Sequence, residues 1–394
     1  MIISILGTAG KDKDTQKAIT AYYDAEVLNK KSGNYYNSTH FLLENYNDNF
    51  FFIGTKKAIE YQKDILDFNK DNIKLIPIDD NSLDNIFEEV YKLISQVKDN
   101  EKVLLDITHG FRHQPISAIF SATLHKFLNN SNLDILFAKQ IVAFKEYEYI
   151  YLTNYVEITQ LSLLLTGFIR TLNFVNTIEI EGLNTIAFEK FSKALLSNDF
   201  KTLSSSYKNL KASIQQAKKD SRFKHLNHLF DNIEESLNIF ENFEQKEIYQ
   251  KYLLLSKLMY SKNYYLLSLT YLFEAIRLYV SYSFYNNKII DKKYWKNSDM
   301  YKINSNIISF INQENIDNYK KGYYDNNFPQ LYISNKNIFK KIATEYEKLR
   351  KLRNNLTHIN ADESKPNIKK ELEDLINNID NIINTDILKT LKGK

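Results

Sequence analysis

Short runs of consecutive apolar residues recur through the first 155 residues, and most are followed by stretches with helical spacing. Strands buried on both faces of a parallel sheet have this apolar character, and helices connect them. The pattern predicts strands at residues 1–6, 49–53, 72–78, 102–107, 133–138 and 147–152, and helices at 56–68, 82–97 and from about 111 to 128. Residues 18–28 break the alternation and are interpreted as a small hairpin. We therefore predict an α/β domain with a mostly parallel sheet over residues 1–155.

The character of the chain changes after residue 155. Only four of the glycines and two of the prolines lie in the remaining part, and apolar residues recur there at spacings of three and four. This pattern is typical of amphipathic helices. We predict an all-helical domain over residues 156–394, with the polar, tyrosine-rich segment 286–337 as an insertion.

The composition narrows the classes of function. The chain has no cysteine, which excludes disulfides, thiolate nucleophiles and cysteine-based zinc sites. The most apolar run, residues 161–168, is far shorter than the ~20 residues that span a bilayer. We expect a cytoplasmic protein with no membrane partner, no metal site and no cofactor. A net charge of +4 restricts any RNA contact to a local surface.

A short glycine-rich loop, Gly7-Thr8-Ala9-Gly10, follows the first predicted strand. Ligands of open parallel sheets bind beyond the carboxyl ends of the strands, where glycines let the backbone approach a phosphate. Thr8 would add a hydrogen-bond donor. The loop matches neither the dinucleotide-binding pattern nor the P-loop pattern, so its nucleotide role is a weak signal by itself.

A second polar loop follows the predicted strand 102–107. Thr108 offers a hydrogen-bond donor, His109 a ring for stacking or hydrogen bonding to a base, and Gly110 a tight turn. Arg112 offers a planar fork that suits phosphate. Asp106, which precedes the loop, is interpreted as a cap of the following turn. A polar run directly after an apolar strand has no evident packing role, which favours a function in ligand binding.

The run LDITHGFRHQP, together with the opening ISILGTAG, resembles the CARF domain, the Rossmann-like fold of CRISPR-associated proteins. The resemblance covers roughly residues 1–155. It implies a dimeric domain that binds cyclic oligoadenylate, a second messenger of type III CRISPR defence, and we expect cyclic tetra-adenylate as the activator. It also implies that Gly7, Thr8, Ala9, Gly10, Thr108, His109, Gly110 and Arg112 line the ligand cleft.

Near the end of the sequence, Arg353 and His358 have side chains suited to RNA cleavage without a metal. A histidine manages the protons of the 2′-hydroxyl and the 5′-oxygen, and an arginine stabilises the charge at phosphorus. On a regular helix a separation of five residues places two side chains about 140° apart. One chain is therefore a poor candidate for a complete site, and two copies meeting at a dimer axis would bring these groups together. Isolated pairs of this kind more often lie at solvated helix faces and ends.

The segment from Arg353 through Asn354 to His358 resembles the motif of HEPN ribonucleases, an arginine, a polar residue and a histidine after four to six residues. The resemblance implies catalytic roles for Arg353, His358 and Asn354, and products ending in 2′,3′-cyclic phosphate. Glu274 and Arg277, one turn apart upstream, are interpreted as a surface ion pair, with orientation of catalytic groups as the functional alternative.

Together the two resemblances predict a CARF–HEPN effector, a metal-independent endoribonuclease that cyclic oligoadenylate activates to cleave single-stranded RNA. We expect a homodimer or a higher even-numbered oligomer. Three alternatives remain open. The first is a ring nuclease that degrades the messenger itself. The second is a ligand-sensing regulator, for which a helix-turn-helix would be expected and none is evident. The third is a catalytically inactive HEPN module.

Overall fold

The computed structural model describes residues 1–8, 17–79, 83–97, 101–129, 132–175, 180–288, 328–357 and 368–391. Contacts divide the chain into two compact units. The sheet unit comprises Met1–Phe168, Phe174–Lys190 and Ala212–Phe230, and the helical unit comprises Ile169–Asn173, Phe191–Lys211 and Asp231–Lys394. The sequence predicts one domain boundary, after residue 155. The contacts instead assign several segments beyond that residue to the sheet unit.

One eight-stranded sheet forms the centre of the sheet unit, in the order β3-β2-β8-β7-β6-β1-β4-β5. Five of the seven strand pairings are parallel, and the pairs β2–β3 and β7–β8 are antiparallel. The predicted α/β class with a mostly parallel sheet is confirmed. The strands are β1 Ile2–Ile5, β2 Ala21–Asp24, β3 Gly33–Tyr35, β4 Phe50–Thr55, β5 Ile73–Ile78, β6 Val103–Asp106, β7 Leu133–Val142 and β8 Glu146–Tyr151.

Three of the four helices that alternate with the strands lie where the sequence pattern predicts them, and the helix at residues 38–45 was not predicted. The first four are α1 Ser38–Asn45, α2 Lys56–Lys63, α3 Leu83–Ser95 and α4 His113–Asn129. Helix α2 ends earlier than the predicted residue 68. The hairpin predicted within residues 18–28 is wrong in extent, because β2 pairs with β3 at residues 33–35 and Glu26–Leu28 forms a single 3-10 turn.

The central strands β1, β4 and β6 are buried on both faces of the sheet, as their apolar sequences require. Ile2 and Leu6 pack into one core cluster with Phe41 and Phe52, whereas Ile3 and Ile5 pack into a second cluster. Successive residues of a strand point to opposite faces, so β1 contributes to both cores. This burial fixes the ends of β1 and β6, and with them the loops that follow.

The rest of the described chain is helical apart from one isolated bridge between Ile180 and Leu183, so the predicted helical second half is confirmed for those residues. The helices are α5 Thr153–Thr171, α6 Thr185–Leu196, α7 Phe200–Ala217, α8 Asn227–Leu237, α9 Ile248–Ser261, α10 Tyr265–Asn286, α11 Phe328–Ser334, α12 Lys336–Thr357 and α13 Ile368–Asn384. Most of the predicted insertion 286–337 lies outside the described residues.

The core of the helical unit lies among α9, α10, α12 and α13, around Leu272, Ile276 and Leu349. Polar groups inside it are paired. Ser256 of α9 and Ser268 of α10 each donate a hydroxyl hydrogen bond to the other's backbone carbonyl, at 2.9 and 2.8 Å. Glu345 of α12, buried, accepts a 3.0 Å hydrogen bond from Asn378 of α13. The serine pair joins α9 to α10, and the Glu345–Asn378 bond joins α12, the helix that carries Arg353, to α13.

Candidate functional site

The two loops identified in the sequence meet at the carboxyl edge of the sheet. Strands β1 and β6 are parallel neighbours, with Ser4 opposite Asp106, so their following loops leave the sheet side by side. A Cβ atom on Gly7 would lie 2.8 Å from the Cβ of His109 and 3.1 Å from the backbone nitrogen of Gly110. Glycine at position 7 is therefore what allows this close approach.

Asp106 organises the turn that follows β6. Its buried carboxylate accepts hydrogen bonds from the Ser4 hydroxyl at 2.8 Å and from the backbone N–H and hydroxyl of Thr108. The sequence-based interpretation of Asp106 as a turn cap is confirmed. The Thr108 hydroxyl in turn accepts the backbone N–H of Ala138 at 2.9 Å. Thr108 thus joins the turn to β7, and its hydroxyl hydrogen is directed to Asp106 rather than outward.

His109 is held in its neutral form. Its Nε2 accepts the backbone N–H of Ser38, the first residue of α1, at 3.0 Å. Burial lowers the pKa of His109, and the nearby Asp106 opposes that shift only in part. A ring that accepts at Nε2 and is neutral carries its hydrogen on Nδ1. His109 therefore offers its ring face and one N–H donor.

A chain of side-chain amides fixes the first loop. Gln62 of α2 donates to the backbone carbonyl of Gly7, and its own carbonyl oxygen accepts the amide of Asn37 at 3.0 Å. Asn37 also caps α1 by accepting the backbone N–H of His40 at 2.9 Å. The Gly7 backbone is thereby connected to the start of the same helix that His109 contacts.

The remaining residues of the second loop, Gly110 to Arg112, are exposed. Gly110 has φ +100°, and a Cβ there would lie 2.6 Å from Ile5, so the tight turn predicted at this glycine is confirmed. Phe111 stacks on His113 with ring centroids 6.2 Å apart. The loop thus presents a cation and an aromatic pair at the surface.

A cavity of about 230 Å³ opens beside the two loops. It is lined by Thr8, Ile19, Ala21, Tyr23, Tyr36, His109, Phe144 and Tyr147. None of these side chains carries a charge, since His109 is neutral, and four are phenyl or phenol rings. Pockets for drug-sized ligands usually measure about 300–1,000 Å³. This cavity therefore suits one uncharged aromatic group of a larger ligand rather than a phosphate.

Sequence reasoning identified Thr8 and His109 but missed the aromatic lining. Tyr23 and Tyr147 lie opposite each other on β2 and β8, and their rings stack with centroids 4.8 Å apart. Tyr36 precedes α1 and stacks on His40. No motif signals these tyrosines, because they come together only through strand pairing. Ala9 and Gly10 lie outside the described residues.

In the helical unit, Arg353 of α12 lies against α10. Its guanidinium carbon is 4.2 Å from the centroid of the Phe273 ring, a cation–π contact. Asn354 is half-buried beside it, and α12 ends at Thr357, so His358 lies outside the described residues. The structure therefore fixes the arginine of the proposed catalytic pair and its neighbour.

A second arginine shares the same ring. The guanidinium carbon of Arg277 is 5.4 Å from the Phe273 centroid, and its Nη1 forms an ion pair with Glu274 at 3.0 Å. Arg277 is only 4% exposed, so the interpretation of this pair as a surface ion pair is wrong for the arginine. Burial raises the pKa of Tyr346, whose ring packs on Phe273, while Arg277, Arg350 and Arg353 oppose that shift. Three arginines thus lie near one aromatic pair, and two of them form ion pairs, Arg277 with Glu274 and Arg350 with Glu347.

The described part of the chain contains neither a candidate metal site nor a candidate membrane-spanning helix. Among those residues, no group of three or more histidine or acidic side chains is arranged to hold a metal ion. None of the helices within the same ranges combines the length and the apolar character that crossing a bilayer requires.

Comparison with known proteins does not assign the chain to a family. No family model and no curated protein matches the chain. Among solved structures it is similar to Csm6 of Enterococcus italicus bound to cyclic hexa-2′-fluoro-hexa-dAMP, with 13% identity and a TM-score of 0.45, over 99% of this chain and 95% of that one. Similarity at this level assigns no residue a role.

Proposed function

We propose that this chain is an endoribonuclease that cyclic oligoadenylate activates, with sensing in the sheet unit and cleavage of single-stranded RNA in the helical unit. The observation that carries the proposal is the meeting of the Gly7 loop with the His109 loop beside an uncharged aromatic cavity. The same two loops carry the resemblance to CARF domains. A ligand made of purine bases and phosphates needs two kinds of binding surface. An aromatic cavity binds a base, and a cation together with backbone N–H groups binds a phosphate.

The parts of the ligand are assigned by chemistry. A base enters the cavity, where the Nδ1–H of His109 donates to its edge. A phosphate lies outside the cavity, where the exposed Arg112 contributes its planar fork. Activation then requires that the ligand bind more tightly to the cleaving arrangement than to the resting one.

Cleavage is assigned to Arg353 and His358, with Asn354 beside them. The 2′-oxygen of the RNA attacks phosphorus, the bond to the 5′-oxygen breaks, and the products carry a 2′,3′-cyclic phosphate and a 5′-hydroxyl. His358 handles the proton that leaves the 2′-hydroxyl or the one that the 5′-oxygen receives. Arg353 stabilises the negative charge that builds up on the phosphate oxygens.

A second copy of the chain is part of the proposal. Arg353 and His358 are five residues apart in the sequence, and we assign one complete site to a pair from each of two chains. Helix α4 carries a stripe of apolar side chains at four-residue spacing, Ile116, Phe120, Leu124 and Leu128, that are between 42% and 64% exposed. A continuous apolar stripe of this kind favours burial against a partner, which we assign to the same helix of a second copy.

The test is an RNA cleavage assay with a panel of cyclic oligoadenylates of different ring size, on wild-type chain and on His358→Ala. We expect cleavage by the wild type with one ring size, no cleavage by the variant, and equal binding of the activator by both. Wild-type chain that binds no member of the panel would refute the sensing assignment. Full activity of His358→Ala would refute the catalytic one.

A further inference from the structure

The turn between β7 and β8 places a large aromatic residue in an unfavourable conformation. The backbone N–H of Lys145 donates to the carbonyl of Val142 at 3.0 Å, and Phe144, third in this turn, has φ +58°. Turns with a positive φ at this position usually take glycine or asparagine there, because side chains with a Cβ are strained in the left-handed region. The turn itself therefore gives no reason for phenylalanine.

Packing gives no reason either. The Phe144 residue is 66% exposed, among the most exposed of the large apolar residues that the structure describes. Burial in a core, which usually justifies a phenylalanine, is absent at this position. Phe144 thus combines a strained backbone with an exposed ring. Strained residues often lie at functional sites, so the surroundings of the ring are informative.

Phe144 lines the cavity beside the two loops. It stands at the edge of a lining that otherwise comes from buried or half-buried rings, among them Tyr23, Tyr147 and His109. When a flat group enters the cavity, it stacks on the exposed ring at the rim and removes apolar surface of both from water. This burial favours binding of the flat group.

We propose that Phe144 is the outer stacking wall for one adenine base of the activator, which the buried rings of the cavity hold from the inside. This rests on the proposed function. The strained turn holds the ring out at the rim when the site is empty, and base binding removes the exposed apolar surface. Phe144 is thus a binding residue of the sensing site, although it lies outside both sequence motifs.

The test compares Phe144→Asn, Phe144→Tyr and Ile141→Asn by titration with cyclic tetra-adenylate. Asparagine tolerates the positive φ, so the first variant folds at least as well as wild type and reports on the ring alone. Tyrosine keeps the ring. Ile141 is the matched control, 47% exposed on the same hairpin but not in the cavity lining.

We expect Phe144→Asn to weaken binding roughly 5- to 150-fold, the range for losing one aromatic ring under one base. Phe144→Tyr and Ile141→Asn should bind like wild type. A cyclic tetra-adenylate with 2-aminopurine in place of one adenine adds a second readout. Stacking quenches its fluorescence, and the quenching should decrease in Phe144→Asn only.

The outcomes separate the two proposals. Tight binding by wild type and Phe144→Asn alike would overturn the role of Phe144 and leave the sensing function standing. Equal weakening by Phe144→Asn and Ile141→Asn would show that the hairpin tip acts as a general apolar surface, which also overturns it. Absence of binding by wild type to every ring size of the panel would overturn both.

Discussion

The imidazole of His109 accepts the backbone N–H of Ser38 through Nε2 at 3.0 Å, which joins the loop after β6 to the first turn of α1. Protonation would convert that acceptor into a donor and break the bond. Because burial lowers the pKa of His109 in the folded chain, the unfolded chain binds a proton below about pH 6.5 that the folded chain does not. The free energy of unfolding of the sheet unit should therefore fall as the pH drops below about 6.5.

This pH dependence is measured by urea unfolding, followed by circular dichroism, at pH 7.5 and 5.5. His109→Gln keeps an acceptor for Ser38 but cannot titrate, so it should lose less stability between the two pH values than wild type does. Burial also lowers the pKa of His125, and His125→Gln is the control that removes the second contribution. The same loss in His109→Gln as in wild type would contradict the assignment.

Gly7→Ala should weaken activator binding, because the added methyl group would lie 2.8 Å from the Cβ of His109 and force the two loops apart. Gly167→Ala is the matched control. Among the described residues, apart from the chain neighbours and the backbone of its own helix, no atom lies within 4 Å of a Cβ there. Alanine in place of glycine in the interior of α5 should stabilise the chain by about 0.5–1 kcal/mol. Isothermal titration with cyclic tetra-adenylate and thermal unfolding of both variants check the pair. If both variants bind the ligand like wild type, close packing of the two loops is not needed for sensing.

Sequence patterns predicted the positions of strands and loops where the signal was local, and they did not predict the strand order. The loops after β1 and β6 were identified because each follows its strand directly, and parallel pairing then brings them together. The cavity lining was not predictable, since it depends on β2 pairing with β8 across more than one hundred residues. Burial of Arg277 was missed for a similar reason. Its spacing from Glu274 fits a surface pair, and the burial of the arginine depends on tertiary packing that the spacing does not reveal.

Arg353 should be replaceable by lysine only in part. Lysine keeps the charge but loses the planar fork and the broad contact with the Phe273 ring. We expect Arg353→Ala to lower kcat for RNA cleavage by about 10²- to 10³-fold, the usual effect of removing one charge-stabilising donor, with Arg353→Lys between it and wild type. Activator affinity should be unchanged in both. A lysine variant with full kcat would show that charge alone suffices at this position.

RNA cleavage should persist in excess EDTA, because a histidine and an arginine supply the proton transfer and the charge stabilisation that a metal ion would otherwise provide. The assay compares initial rates with EDTA and with added Mg²⁺ or Mn²⁺, at matched ionic strength. Retention of the activator complex is checked in parallel, so that an effect on sensing is not mistaken for one on cleavage. Strict dependence on an added divalent ion would contradict the mechanism.

Arg112→Ala separates sensing from catalysis. The side chain is exposed, so its removal should change the free energy of unfolding by no more than about 0.5 kcal/mol. A phosphate held by this guanidinium should lose about 1.5–3 kcal/mol of binding free energy, which corresponds to roughly one to two orders of magnitude in affinity. Because Arg353 and His358 are unchanged, saturating activator should restore cleavage to nearly the wild-type maximum. The measurement is RNase activity of both proteins across a titration of cyclic tetra-adenylate, with Arg112→Lys to test whether charge without the fork suffices. A mutant curve that keeps its midpoint and loses only its plateau would place this loop in coupling or catalysis instead of ligand binding.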